Sequence, residues 1–157
     1  MNDPEILFLD EPTTGLDPQA RRNFWTLIRN IKKRGKTVLL TTHYMEEAEL
    51  LCDQLVIMDQ GKVIADGSPS ALLKKNFNHS YVCLDREDFN NAHDSSHINC
   101  ISSPIEIRED CIAIPTNDVE KTLSELISKN ITLQSLQVRK PSLDDLFLKL
   151  TGHHLRE

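Results

Sequence analysis

Apolar residues in the first half of the chain alternate between short unbroken runs and stripes at helical spacing. Residues 6–9 are wholly apolar, the pattern of a strand buried on both faces of a parallel sheet. Pro12 closes that strand, because proline has no N–H for a sheet ladder. Asp17-Pro18 predicts a helix start, with aspartate as the cap and proline at the first helical position. Phe24, Leu27, Ile28 and Ile31 then form one apolar stripe, and Gly35 ends the helix. Thr37–Thr41 is β-branched and apolar, a second strand, followed by a helix over residues 45–51. Residues 55–58 and 63–65 flank the turn Asp59-Gln60-Gly61-Lys62 and predict a hairpin. Ser68-Pro69 opens a short helix through Lys75. Strands alternating with helices at these spacings imply right-handed crossovers and an α/β layered fold.

The pattern changes after Phe77, so two domains are expected, residues 1–77 and residues 78–157. Residues 85–97 are almost entirely polar and read as a loop. Short strand signals follow at 105–107 and 111–114. Asn117 and Glu120 have capping-box spacing ahead of a helix carrying Val119, Leu123, Leu126 and Ile127. Residues 131–138 read as a strand, and Ser142 and Asp145 form a second capping box before Leu143, Leu146, Phe147 and Leu150. The second domain is therefore a small α+β module.

Composition narrows the class. The 157 residues are 39% hydrophobic and 27% charged, which excludes collagen-like, mucin-like and strongly disordered chains. No apolar run exceeds four residues, against about 20 for a membrane span, and the first residues lack the basic-then-apolar pattern of a secretory signal. Net charge is −6; residues 1–77 carry ten basic against eleven acidic side chains, and residues 78–157 eight against thirteen. Neither half has the positive excess that nucleic-acid binding requires. Arg29, Lys32, Lys33, Arg34 and Lys36 cluster at a predicted helix end, where cations offset the dipole. The four cysteines include no CxxC pair and give no disulfide framework. His93, His97 and Cys100 fall in the polar stretch and are not read as a metal site.

Chemistry concentrates at two strand ends. The first strand delivers consecutive carboxylates, Asp10 and Glu11, to the edge of an open α/β sheet where ligands bind. Mg²⁺ bound to a nucleotide takes one or two carboxylates plus phosphate oxygens and water, a role suited to Asp10. A neighbouring carboxylate, Glu11, is suited to orienting or deprotonating an attacking water. The next strand ends in Thr41-Thr42-His43 and places an imidazole near the same edge, able to hydrogen-bond a terminal phosphate.

These residues resemble a known family, the nucleotide-binding subunits of ABC transporters. Residues 6–18, Ile-Leu-Phe-Leu-Asp-Glu-Pro-Thr-Thr-Gly-Leu-Asp-Pro, resemble the Walker B strand and D-loop, and Thr41 to His43 resembles the switch-histidine motif. Residues 53–67 are similar to the hairpin that follows, and residues 141–152 to the tail of the drug-exporter, daunorubicin-resistance-like branch. The resemblance implies the second half of a P-loop NTPase core followed by a small α+β accessory domain. It implies that Asp10 helps hold Mg²⁺, that Glu11 is the catalytic carboxylate, and that His43 contacts the γ-phosphate of ATP. Asp17 would lie in the loop that meets the opposing subunit of an ATP-sandwich homodimer.

No G-x-x-x-x-G-K-[ST] phosphate loop is present, and Gly35-Lys36-Thr37 fails as one, with Asn30 where the first glycine belongs. The LSGGQ signature is missing too, so the resemblance is to the C-terminal half of such a subunit. The implied function is ATP hydrolysis that powers a membrane exporter through a separate transmembrane permease, at the cytoplasmic face of the membrane. The chain by itself is expected to be inactive. The alternatives from other classes are a soluble ABC ATPase acting on ribosomes or DNA, and a non-catalytic interaction fragment.

Overall fold

In a computed structural model of the chain, residues 3–90, 104–108 and 111–152 are described. The architecture is α/β, as expected, and the described residues form two compact units, Met1–Lys74 with Ser142–Glu157, and Lys75–Pro141.

The first unit opens with β1 (Ile6–Asp10), α1 (Pro18–Lys33) and β2 (Thr37–Thr41), a strand–helix–strand unit in which β1 and β2 pair in parallel. Asp17 caps α1: its Oδ1 accepts from the backbone N–H of Gln19 (2.9 Å) and Ala20 (2.8 Å), with Pro18 behind it. The helix ends at Lys33, and Gly35 supplies the positive φ (80°) that turns the chain toward β2. Trp25 and Ile28 of α1 pack with Leu9, Val38 and Leu40 from one face of the two strands.

The other face differs from expectation. Ile6, Phe8 and Leu39 point away from α1 and are exposed, Phe8 to 74%, so residues 6–9 are not buried on both sides. A wholly apolar run carries no period-2 signal, so it cannot report that one face is open.

The helix α2 (Met45–Leu51) follows, then the antiparallel hairpin of β3 (Leu55–Asp59) and β4 (Lys62–Gly67), and α3 (Pro69–Asn76). Gln60 and Gly61 both take positive φ (47° and 74°), the pattern of a two-residue type I′ turn. Among the described residues β3 pairs only with β4 and does not extend the β1–β2 sheet.

The second unit is a four-stranded antiparallel sheet in the order β6-β7-β5-β8, from β5 (Ser80–Asp85), β6 (Glu106–Ile107), β7 (Cys111–Thr116) and β8 (Gln137–Arg139). A short α4 (Arg86–Asn90) occupies the start of the stretch expected to be loop, and His93, His97 and Cys100 lie outside the described residues. Val82, Leu84, Ile112 and Ile114 point from the sheet onto α5 (Val119–Ser128), where Leu126 is fully buried. The cap of α5 is Asp118, not Asn117: its carboxylate accepts from Lys121 N–H at 3.0 Å. Of the expected strand over 131–138 only Gln137 and Val138 pair, in β8, which runs on to Arg139; Ile131 instead drops into the core.

The last helix, α6 (Leu143–Thr151), has the expected capping box, with Ser142 and Asp145 bonded reciprocally. It belongs with the first unit rather than with residues 78–141, and the Leu143 N–H donates to Glu49 Oε2 on α2 (3.2 Å). Truncating Leu126 to alanine is expected to destabilise the second unit by about 2–5 kcal/mol, since it removes a fully buried side chain from a packed core. Urea unfolding followed by circular dichroism measures that loss.

Candidate functional site

Parallel pairing brings the C-terminal ends of β1 and β2 to one edge, with Asp10 directly opposite Thr41. The Thr41 hydroxyl donates to Asp10 Oδ1. One residue on, Glu11 adopts φ 45°, a left-handed conformation that costs a non-glycine residue about 1–3 kcal/mol. Local bonds hold it there. Its N–H donates to the Thr41 carbonyl (3.1 Å) and hydroxyl (3.2 Å), and its C=O accepts from Thr14 N–H (3.1 Å).

The turn swings the Glu11 carboxylate toward His43. Glu11 Oε2 lies 2.5 Å from His43 Nδ1 and also accepts from the Thr14 hydroxyl at 3.0 Å. A carboxylate only accepts, so Nδ1 carries the hydrogen in this pair and Nε2 is the ring nitrogen left for another partner. Both side chains remain reachable, 40% exposed for Glu11 and 34% for His43.

Behind His43 the first turn of α2 is held against α1. The Tyr44 ring lies 4.2 Å from the His43 ring, tilted by 42°, and the Arg21 guanidinium sits 4.0 Å over the other aromatic ring, that of Tyr44. One turn further along each helix, Trp25 Nε1 donates to Oε1 of Glu47 at 2.9 Å, and Glu47 is fully buried.

Over its whole length the chain is 38% identical to the Nod factor export ATP-binding protein I of Burkholderia lata and covers 50% of that protein. It is 37% identical to the linearmycin resistance ATP-binding protein LnrL of Bacillus subtilis, across all of this chain and 53% of the relative. Its homologues are ABC ATP-binding proteins. The match is to their C-terminal half, and the chain spans about half the length of the curated relatives it matches. Residues 1–47 match the family model "AAA domain, putative AbiEii toxin, Type IV TA system". A solved structure, cbiO1 from Clostridium perfringens, described as part of the ABC transporter complex cbiONQ, is 36% identical over 46% of this chain and 29% of its own, with a TM-score of 0.40.

The structure brings Asp10, Glu11 and His43 together and leaves Asp17 apart, its carboxylate engaged as the α1 cap. Among the described residues no group of three or more His, Cys, Asp or Glu could cage a metal. A single carboxylate such as Asp10 nevertheless fits Mg²⁺, which takes few protein ligands when phosphate oxygens and water complete its shell. The acidic pair and the histidine were legible from the sequence. Thr14, Thr41, Tyr44 and Arg21 carry no such signal in the sequence, because hydroxyls, ring faces and guanidinium groups acquire partners only on folding.

A separate cavity of about 320 Å³ lies beside β2, lined by Ile28, Val38, Leu51 and Cys52. Its cations are already engaged: Lys32 Nζ with the Leu51 carbonyl and Asp53, Lys36 Nζ with Asp3 and Glu5. Burial, the largest influence on Cys52, pushes its thiol pKa up, against the lowering effect of Lys32. The thiol therefore stays protonated and slow to alkylate near neutral pH.

Replacing Trp25 with phenylalanine keeps the ring but removes the N–H that meets buried Glu47. A loss of about 1–3 kcal/mol is expected, the cost of a buried acceptor left without its donor. Chemical denaturation of the variant beside the parent measures it.

Proposed function

We propose that this chain forms the Walker B, D-loop and switch-histidine part of an ATP-hydrolysing subunit that powers an ABC-type exporter. The observation that carries the reading is the Glu11–His43 contact at the edge where Asp10 also ends its strand. Asp10, steadied by the Thr41 hydroxyl, would hold Mg²⁺. The Mg²⁺ supplies charge neutralisation of the bound phosphates. Glu11 would orient a water and accept its proton as the water oxygen bonds to the terminal phosphorus and the bond to the bridging oxygen breaks. His43, anchored through Nδ1, would turn Nε2 toward the γ-phosphate.

Asp17 lies in the segment that would meet an opposing ATPase subunit of a homodimer. Its capping role and that contact are compatible, since the cap uses one carboxylate oxygen, Oδ1. A transmembrane permease would be the other partner and would place the subunit peripherally at the cytoplasmic face of the membrane. No helix among the described residues is long and apolar enough to cross a membrane itself. Residues 75–141 would be the accessory module of the subunit.

In the full-length subunit Glu11→Gln is expected to preserve ATP binding and lower turnover about 10²–10⁴-fold, the usual contribution of a general base. His43→Ala should also slow hydrolysis. Parental turnover in a purified Glu11→Gln protein would remove Glu11 from this role.

The 157-residue chain by itself is expected neither to hydrolyse ATP nor to bind Mg-ATP, because its sequence contains no phosphate loop. Backbone N–H groups and a lysine of that loop provide most of the attraction for a polyphosphate. Titration calorimetry with Mg-ATP tests this, and micromolar binding by a stable monomer would overturn it.

A further inference from the structure

We propose that Arg21 and Tyr44 are positioning residues that set the orientation of the His43 ring against Glu11. The inference rests on the hydrolytic role proposed above for Glu11 and His43. His43 sits in the link between β2 and α2, where its backbone makes no regular pairing, so its ring is restricted by its own contacts: Glu11 holds Nδ1, and the ring face is left to a neighbouring side chain. Tyr44 is placed to do so. It occupies the N-cap of α2 but makes no side-chain capping bond, and its ring is spent instead on the imidazole, at 4.2 Å.

Tyr44 is held in turn from α1. The Arg21 guanidinium lies 4.0 Å from the centre of the Tyr44 ring, within range of a cation–π contact. Its Nε is buried and makes no hydrogen bond, so the guanidinium is held by its face against the ring and not by a polar partner at that atom. Arg21 and Trp25 lie one turn apart on α1, and Tyr44 and Glu47 one turn apart at the start of α2. Arg21–Tyr44 and Trp25–Glu47 therefore make two rungs between the helices, and the rung nearer the sheet edge ends on His43.

Two rungs differ in what they set. The Trp25–Glu47 bond fixes the distance between the helices with a buried polar contact. The Arg21–Tyr44 contact leaves its residues half-buried and bears directly on the imidazole. Loss of the second should therefore disturb chemistry more than folding.

The test is steady-state ATP hydrolysis by the full-length subunit carrying Tyr44→Leu, Tyr44→Phe, Arg21→Met and Arg21→Lys. Tyr44→Leu and Arg21→Met are expected to lower kcat about tenfold, a 1.4 kcal/mol change in barrier, with the KM for ATP and the melting temperature close to parental. Tyr44→Phe keeps the ring and is expected to retain most of kcat, and Arg21→Lys to fall between. In a His43→Ala background Tyr44→Leu should have no further effect, because residues acting through one group are not additive. Equal losses with and without His43, or parental kcat in both Tyr44→Leu and Arg21→Met, would overturn the proposal.

Should the double variant turn over too slowly to follow, the His43 ring resonances decide. They must shift in Tyr44→Leu and Arg21→Met and hold in Tyr44→Phe; unmoved resonances overturn the proposal. Glu11→Gln separates this outcome from failure of the hydrolytic reading. An inactive Glu11→Gln beside fully active Tyr44→Leu and Arg21→Met sinks only the positioning role, whereas an active Glu11→Gln sinks the reading beneath it.

Discussion

The parallel register of β1 on β2, with Asp10 opposite Thr41, is the constraint from which the candidate site follows. Parallel strands end on the same edge, so the carboxylates after β1 and the imidazole after β2 arrive together although more than thirty residues separate them in sequence. The ladder continues one residue beyond β1 through the Glu11 N–H to Thr41, and this added bond keeps Glu11 in its left-handed conformation. Without that register, Thr41 would have neither Asp10 nor Glu11 to hold. A backbone cost of about 1–3 kcal/mol at one residue is offset by several hydrogen bonds of about 0.5–1.5 kcal/mol each.

The helices serve the same edge from behind. Burying the Glu47 carboxyl against a single indole N–H does little for stability, since desolvating a polar group costs as much as one hydrogen bond returns. Its effect is directional: a buried acceptor with one donor allows few arrangements of α1 on α2. Stability of this unit comes from apolar contact, chiefly Trp25, Ile28 and Leu51 with Leu9, Val38 and Leu40. Those contacts cover one face of the β1–β2 pair, and the face bearing Ile6, Phe8 and Leu39 is left exposed.

The second unit is built on a different principle. Its sheet is antiparallel, β5 as one of its two inner strands pairs on both sides, and the core under α5 is made of alternate residues of β5 and β7. None of the candidate site residues lies there, so its contribution to function runs through whatever it packs against or binds, and not through the Asp10–Glu11–His43 edge.

Local features were readable because their causes are local. The Asp17 cap, the Ser142–Asp145 box, the Gln60-Gly61 turn and α2 depend on bonds between residues at most four apart, which residue types and spacing report directly. The acidic pair was readable as well, since a polar residue after an apolar run marks a strand end. One local choice was not readable: adjacent Asn117 and Asp118 are both competent caps, and the bond to Lys121 N–H chose the second. Non-local pairing decided the rest. Residues 131–136 have strand composition but no strand to pair with, while Ser80–Asp85 gains a neighbour on each side and becomes one of the sheet's two inner strands. The partners of His43 and Asp10 follow the same rule. Thr41, Tyr44 and Arg21 are ordinary residues in the sequence, and only the approach of β2 to β1 and of α2 to α1 gives their hydroxyl, ring and guanidinium something to hold.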